Sequence, residues 1–313
     1  MIWFLLWGQQ LFLVGDAGAL TPRQVRLYER FWLTHARKGD VLLWLGDNLY
    51  PAGHRDRPRD RRRWARLVSV SRSFPGTVIA TPGNHDWKAG LAGILRQERD
   101  LRHLPTPGSS QAETISIGRW HFLFIDSELY IQSGGKDFSW RRLDSLTHAF
   151  SSSDTLFFVL HHPPRTAGAH GGYFPLSAHI FPLRIIHPAL YVPLPGLGSL
   201  FIFLRKATHH PTDLSYPAYK ALADSLINRA KQLPYTVIFV SGHDHNLQIH
   251  RLSEKSWAIV SGSGCKTEPL SKRRTLWGKA VVGLWKLSSH EIEAYALRQP
   301  TVPIWRFAET AVP

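Results

Sequence analysis

Val41-Leu42-Leu43-Trp44-Leu45-Gly46-Asp47-Asn48-Leu49-Tyr50 sets the reading of this chain. Five unbroken apolar residues fit a strand buried on both faces, and the glycine after them allows a sharp turn into a polar loop. The same construction recurs. Leu11-Phe12-Leu13-Val14 precedes Gly15-Asp16-Ala17-Gly18, and Thr77-Val78-Ile79-Ala80 leads to Gly83-Asn84-His85-Asp86. The run 155–160 precedes His161-His162-Pro163, and the run 236–240 precedes Gly242-His243-Asp244-His245. Parallel strands present their carboxyl ends on one edge, where ligands bind. The pattern therefore gathers Asp, Asn, Tyr and His at one place, with glycines 15, 46, 83 and 242 expected to turn the backbone there.

Those are the side chains that hold two hard or borderline metal ions. Two metals about 3.5–4 Å apart clamp a phosphoryl group and acidify a bound water, which makes a metal-bound hydroxide the nucleophile. Such a site needs one shared carboxylate, terminal ligands on each side and an open position. Asp16, Asp47, Tyr50, Asn84, His161, His243 and His245 supply seven ligands, only two of them carboxylates. Two metals would stay under-neutralised among them, which suits an anionic substrate.

With these residues in place, the chain resembles calcineurin-like metallophosphoesterases, and within them the purple, tartrate-resistant type of acid phosphatase. The tyrosine three residues after Asp47 and the stretch Gly242-His243-Asp244-His245-Asn246-Leu247-Gln248 carry that likeness, followed by Ser261-Gly262-Ser263-Gly264. The resemblance implies an α/β fold, a four-layer α/β/β/α sandwich of two packed mixed sheets. It implies that Asp16, Asp47, Tyr50 and His245 hold ferric iron. Asp47, Asn84, His161 and His243 would hold a divalent iron, zinc or manganese ion. His85 would contact the phosphate and help protonate the leaving group, and His170 fits the place of a second histidine. His161 and His162 are adjacent, so strand alternation would turn them to opposite faces, with His161 toward the metals and His162 a core histidine or one that supports a ligand. Asp86 is expected to orient His85 by a hydrogen bond, and Asp244 to point away and support its turn.

The function implied is hydrolysis of phosphate esters, foremost monoesters. A phosphodiesterase or nuclease, a lipid-phosphate or pyrophosphate hydrolase, and a non-catalytic binding platform are the rivals. The net charge of +15 favours anionic partners, including nucleic acid or a membrane surface. No aromatic and lysine pattern of a single-strand binder accompanies it. The densest basic block, Arg55 to Trp64, reads either as a substrate-steering patch or as a solvated helix start. The one cysteine, Cys265, allows no intrachain disulfide and is read as a small core or near-site residue.

One domain over residues 1–313 is the simplest organisation. Helices are expected near 22–37, 60–73, 90–102, 139–150 and 216–232, an antiparallel pair at 113–117 and 121–125, and a mostly β part over 246–306. The chain departs from the family in an apolar insert, about 171–214. Residues 171–204 carry a single charge, Arg184, and prolines at 175, 182, 188, 193 and 195 exclude a regular spanning helix. The insert reads as a lid or an interfacial loop, with membrane-surface contact through 171–204. Its sequence resembles bacterial phosphoesterases that sometimes precede an outer-membrane barrel, which implies an envelope or periplasmic location. Met1 to Trp7 is apolar but lacks a basic start, and cleavage after a hydrophobic region of normal length would remove Asp16, so it is not read as a signal peptide. A cytoplasmic protein and a truncated start both fit that reading.

Overall fold

The computed structural model describes residues 8–185 and 189–308. The expectations placed on Met1 to Trp7 and on Pro188 lie outside the described residues.

Among the described residues, thirteen strands form two sheets. They are β1 (Leu11–Val14), β2 (Val41–Leu45), β3 (Thr77–Thr81), β4 (Glu113–Ile117), β5 (Trp120–Phe124), β6 (Thr155–Val159) and β7 (Thr236–Ser241). Then come β8 (Leu247–Arg251), β9 (Ser256–Ser261), β10 (Trp277–Lys279), β11 (Gly283–Leu287), β12 (Glu291–Ala296) and β13 (Trp305–Ala308). The first sheet runs β13-β12-β11-β1-β2-β3, and the second β10-β8-β9-β7-β6-β5-β4. β1, β2 and β3 are parallel, as are β5, β6, β7 and β9. The remaining pairings are antiparallel, so both sheets are mixed.

Period-two alternation builds the layers. Leu11, Leu13, Leu43 and Leu45 face inward and meet Phe157, Val159 and Val240 of the other sheet. The intervening Phe12, Val14, Leu42 and Trp44 face outward onto Tyr28, Phe31, Trp32 and Trp64 of helices Pro22–His35 and Pro58–Arg72. On the far side, Leu156, Phe158, Val237 and Phe239 pack on Leu143, Leu222 and Leu226 of helices Trp140–Thr147 and Pro217–Ala230. This is the helix, sheet, sheet, helix sandwich that the sequence implied. The near-continuous apolar runs follow from it, since strands buried on both faces have no solvent side. Thr21 starts the first helix with a capping box. Its hydroxyl accepts the Gln24 N–H, and the Gln24 side chain accepts the Thr21 N–H at 2.8 Å.

Differences from the expected elements lie at short or apolar segments. Helix Ser127–Ser133 and strands β10 and β13 were not foreseen. The insert holds a helix, Pro195–Ala207, opened by its proline. Proline is tolerated in a first helical turn, so Pro195 sets where this short helix begins, and the regular spanning helix that the prolines exclude is absent among the described residues. The 13 residues of Pro195–Ala207 reach about 20 Å, short of a ~30 Å hydrocarbon core. No helix among the described residues is long and apolar enough to cross a membrane.

Candidate metal centre

The five motif loops come from both sheets: three follow β1, β2 and β3, and two follow β6 and β7. Backbone hydrogen bonds join the two edges, Gly15 N–H to Ser261 O at 2.7 Å and Gly264 N–H to Gly15 O at 2.9 Å. The expected glycine turns are realised only at Gly46, with φ +85°. Elsewhere the left-handed conformation falls on the candidate ligands themselves: Asp16 at 59°, Asp47 at 53° and His243 at 72°. Such a conformation costs about 1–2 kcal/mol for a residue with a Cβ, and it aims each side chain out of the strand line. Gly15 and Gly242 serve close approach instead, since a Cβ on Gly15 would lie 2.9 Å from Gly242 Cα.

All seven candidate ligands converge. Asp16 Oδ1 accepts from Tyr50 Oη at 2.6 Å and lies 3.3 Å from His245 Nε2, which is 3.2 Å from Tyr50 Oη. On the other side, His161 Nε2 stands 3.1 Å from Asn84 Oδ1 and 3.2 Å from His243 Nδ1. Asp47 Oδ1 lies 3.5 Å from His161 Nε2. Asp16, Asp47 and His161 make one buried cluster of donor atoms.

The chemistry of the donors fits metal ions. His161 Nδ1 is 2.8 Å from Leu45 O, and His243 Nε2 is 2.7 Å from Thr212 O. Each ring thus donates its N–H to a backbone carbonyl, and a neutral ring turns a lone pair inward. Two lone-pair nitrogens at 3.2 Å repel unless a cation lies between them. Without metal, a proton takes that role. Burial alone would lower His161, but Asp47 and Asp16 outweigh it and raise the pKa. Burial, with His170, His162 and His161 adding to it, drives His243 well below its ordinary value. Burial would likewise lower His245, yet Asp16 and Glu268 raise it to about 10. Burial would raise Asp16, but His245, His161 and Tyr50 bring it to about 2. Burial, then the charges of Asp16 and Asp47, push Tyr50 well above its ordinary value, so a tyrosinate there requires a metal.

The sequence reading missed the groups that hold these ligands. Glu268 Oε1 lies 2.8 Å from His245 Nδ1 and fixes the ring. Asp213 Oδ1 lies 3.0 Å from His170 Nδ1, and Arg205 clamps both oxygens of Asp213 at 2.6 and 2.7 Å. The His170 ring rests on His243, with centroids 3.9 Å apart. His85 is partly exposed, with Nδ1 2.5 Å from Pro51 O, its ring edge-on to Tyr50 and Nε2 3.9 Å from Asp47 Oδ2. Two cations flank it. Lys88 Nζ lies 3.2 Å from its Nδ1, and Lys266 Nζ sits 4.0 Å from the centre of the Tyr50 ring.

Two expectations about neighbouring residues come out differently, and the basic block takes the second of its two readings. Asp86 does not orient His85. It accepts N–H groups of Asn48 and Gly83 on Oδ2 and of Leu49 on Oδ1, tying the Asp47 and Asn84 loops together. His162 does not turn to the opposite face, because β6 ends at Val159, before alternation can apply. Its ring lies 4.3 Å from His243, with Nδ1 2.9 Å from Ser127 Oγ. The basic block after Asp47 forms the start of helix Pro58–Arg72. Arg61 pairs with Asp56 at 3.0 Å, and Arg63 donates to Tyr50 O at 2.9 Å. Asp244 stands as expected, accepting from the Thr166 hydroxyl and, at 3.3 Å, from the His170 N–H. Cys265 is half-buried, donates its thiol to Asp16 O at 3.0 Å and has its pKa pushed up to about 12 by desolvation, which suits a structural residue beside the site.

The model of the calcineurin-like phosphoesterase family matches residues 11–247, a span that contains all of these ligands. No curated protein matches the chain. Among solved structures, GAP50, the anchor in the inner membrane complex of Plasmodium, aligns at 14% identity with a TM-score of 0.60, over 96% of this chain and 88% of that one. A dimetal phosphatase from Danio rerio aligns at 12% identity with a TM-score of 0.45, over 96% and 98%. The first of these likenesses bears on the fold alone.

Proposed function

The chain belongs to the calcineurin-like phosphoesterase family and is a metal-dependent phosphoric ester hydrolase, and from that premise we propose a phosphomonoesterase of acid-phosphatase type. Asp16, Asp47, Tyr50 and His245 hold one ion, ferric iron. Asp47, Asn84, His161 and His243 hold the second, a divalent iron, zinc or manganese ion. The observation that carries this reading is Tyr50, whose Oη stands within 2.6 Å of Asp16 and 3.2 Å of His245 as one of the converging donors. A phenolate matches a hard trivalent ion and lowers the charge left for the substrate.

When bound, the metals supply Lewis-acid polarisation of the phosphoryl oxygens and acidify water. The chain's own residues do the rest. Lys88 and Lys266 draw an anionic ester to the mouth. Pro51 O holds the His85 ring by Nδ1, and Nε2, 3.4 Å from Lys88 Nζ and 3.9 Å from Asp47 Oδ2, is the nitrogen that meets the substrate. His85 as imidazolium donates to a phosphoryl oxygen or to the leaving alcohol. His170, fixed by Asp213, is the second proton donor at that rim. Burial, reinforced by Lys88 and Lys266, lowers the His85 pKa, so its protonated form belongs to acid pH.

The test is turnover of an aryl phosphate monoester against the matching diester, after loading with iron plus zinc or manganese. Monoester preference and a visible tyrosinate-to-iron absorption band, lost in Tyr50→Phe, are expected. Diester preference with no such band overturns the reading in favour of a phosphodiesterase.

A further inference from the structure

Nine of the fourteen large apolar side chains exposed among the described residues fall between residues 176 and 204. Helix Pro195–Ala207 concentrates them and is built inside out. It buries Gly198 and Ile202 while exposing Leu197, Leu200, Phe201, Phe203 and Leu204. Phe203 is 65% exposed and Leu197 60%. Rotation cannot hide this face, because the helix is fixed by its small side. A Cβ on Gly198 would lie 2.1 Å from His179 O, so only glycine lets the helix approach helix Leu176–Ile180 this closely. Leu194 N–H also donates to Ile180 O at 2.7 Å.

Charge tells what covers the face. No Asp or Glu occurs between Asp154 and Asp213, a stretch that contains the whole insert. The helix closes on Arg205, whose charge is met by Asp213, and on Lys206, which is exposed with its ammonium 5.5 Å from the centre of the Phe174 ring. A second copy of this chain would bring the same carboxylate-free, cationic rim against itself, in a protein of net charge +15. An anionic bilayer offers what the face lacks, hydrocarbon for the apolar side chains and negative headgroups for the cations.

The helix is also tied to the candidate metal centre. Arg205 grips Asp213, which fixes His170, while the neighbouring Thr212 O holds His243. We propose that helix Pro195–Ala207 seats the protein on an anionic bilayer and that its substrates are phosphomonoesters carried on lipid. The substrate half rests on the phosphomonoesterase reading above. The reaction is that same hydrolysis: a water oxygen bonds to phosphorus, the bond from phosphorus to the lipid oxygen breaks, the lipid alcohol takes a proton, and inorganic phosphate leaves. The seated helix holds the mouth at headgroup level, so the ester need not leave the bilayer.

Sedimentation of the full, metal-loaded chain with phosphatidylcholine vesicles, with and without phosphatidylglycerol, tests the surface. Binding to the anionic vesicles is expected. A Leu200→Glu/Phe203→Glu double variant should lose at least about a hundredfold of that partitioning. Its turnover of a soluble aryl phosphate should be unchanged, which also reports an intact fold. Wild-type protein left in the supernatant, or a variant that partitions like wild type, overturns the surface. Phosphate release from phosphatidic acid in the vesicles tests the substrate. Faster release than from soluble glycerol phosphate, lost in the double variant, is expected, and equal rates for the two proteins overturn it. Vesicle binding with no turnover of any monoester defeats the substrate half through the reading it rests on, and leaves the surface standing.

Discussion

The donor basin and the apolar helix break one rule in opposite directions. In the basin, Asp16, Asp47, His161 and His243 are polar and buried. On helix Pro195–Ala207, Leu200 and Phe203 are apolar and exposed. A buried charge is costly unless paired, and a contiguous exposed apolar face is rare on a protein that stands alone. Each region is therefore complete only with something from outside, cations in the first and hydrocarbon in the second. The supports differ too. The basin is cross-linked by strand ends, backbone hydrogen bonds and Glu268 and Asp86, whereas the helix is held by a close glycine contact, the buried Ile202, the Leu194 N–H on Ile180 O and the Arg205–Asp213 ion pair.

The comparison can be broken at several points, beginning with the largest effect. Asp47→Asn removes the carboxylate placed between the two ligand sets. It should cost more than the roughly 10–100-fold typical of an outer partner of a metal ligand, seen as lost turnover of the aryl monoester with the fold intact by circular dichroism. His85→Asn should lower kcat/KM about a hundredfold. In wild type, kcat/KM should decline as pH rises through a pKa below the ordinary histidine value of 6.5, because the imidazolium is the donor and its pKa is lowered. The variant should lack that decline.

Glu268→Gln should weaken metal affinity about 10–100-fold by freeing the His245 ring, measured by metal titration. The metal-free chain should show a matching pH dependence of thermal unfolding. His245 is raised to about 10, so its stabilisation is full below 6.5 and is lost as pH rises through about 10. Burial would raise Glu268, but the hydrogen bond and charge of His245, with His170 and Lys266 behind them, bring it to about 2. Its stabilisation is full above 4.5 and is lost as pH falls through about 2. Metal loading replaces the His245 proton and should abolish the alkaline loss. The smallest effect belongs to the helix. Leu200→Glu should change stability in solution by no more than about 0.5 kcal/mol, since an exposed side chain gives up no packing. A larger loss would mean that the face is already covered.

The legible part of the molecule is local. Asp16, Asp47, Asn84, His161 and His243 each follow a strand by two or three residues, so residue type and an apolar run sufficed to find them. The partners of those ligands come from elsewhere in the chain. Glu268 meets His245 from beyond β9, and Asp213 meets His170 from the far side of the insert, so neither spacing is a motif. Asp86 was found but misassigned, because which neighbour it serves depends on how the two loops dock. Helix Pro195–Ala207 stayed hidden because its apolar residues form no stripe, the usual signature of a helix on a protein surface.

The most direct test of the central claim is the metal content of the purified chain after loading with iron plus zinc, counted per polypeptide beside Asp47→Asn. The account predicts two ions in the wild type, one of them iron, and fewer in the variant. A wild type that retains no metal, or a variant that retains as many ions as wild type, would contradict it.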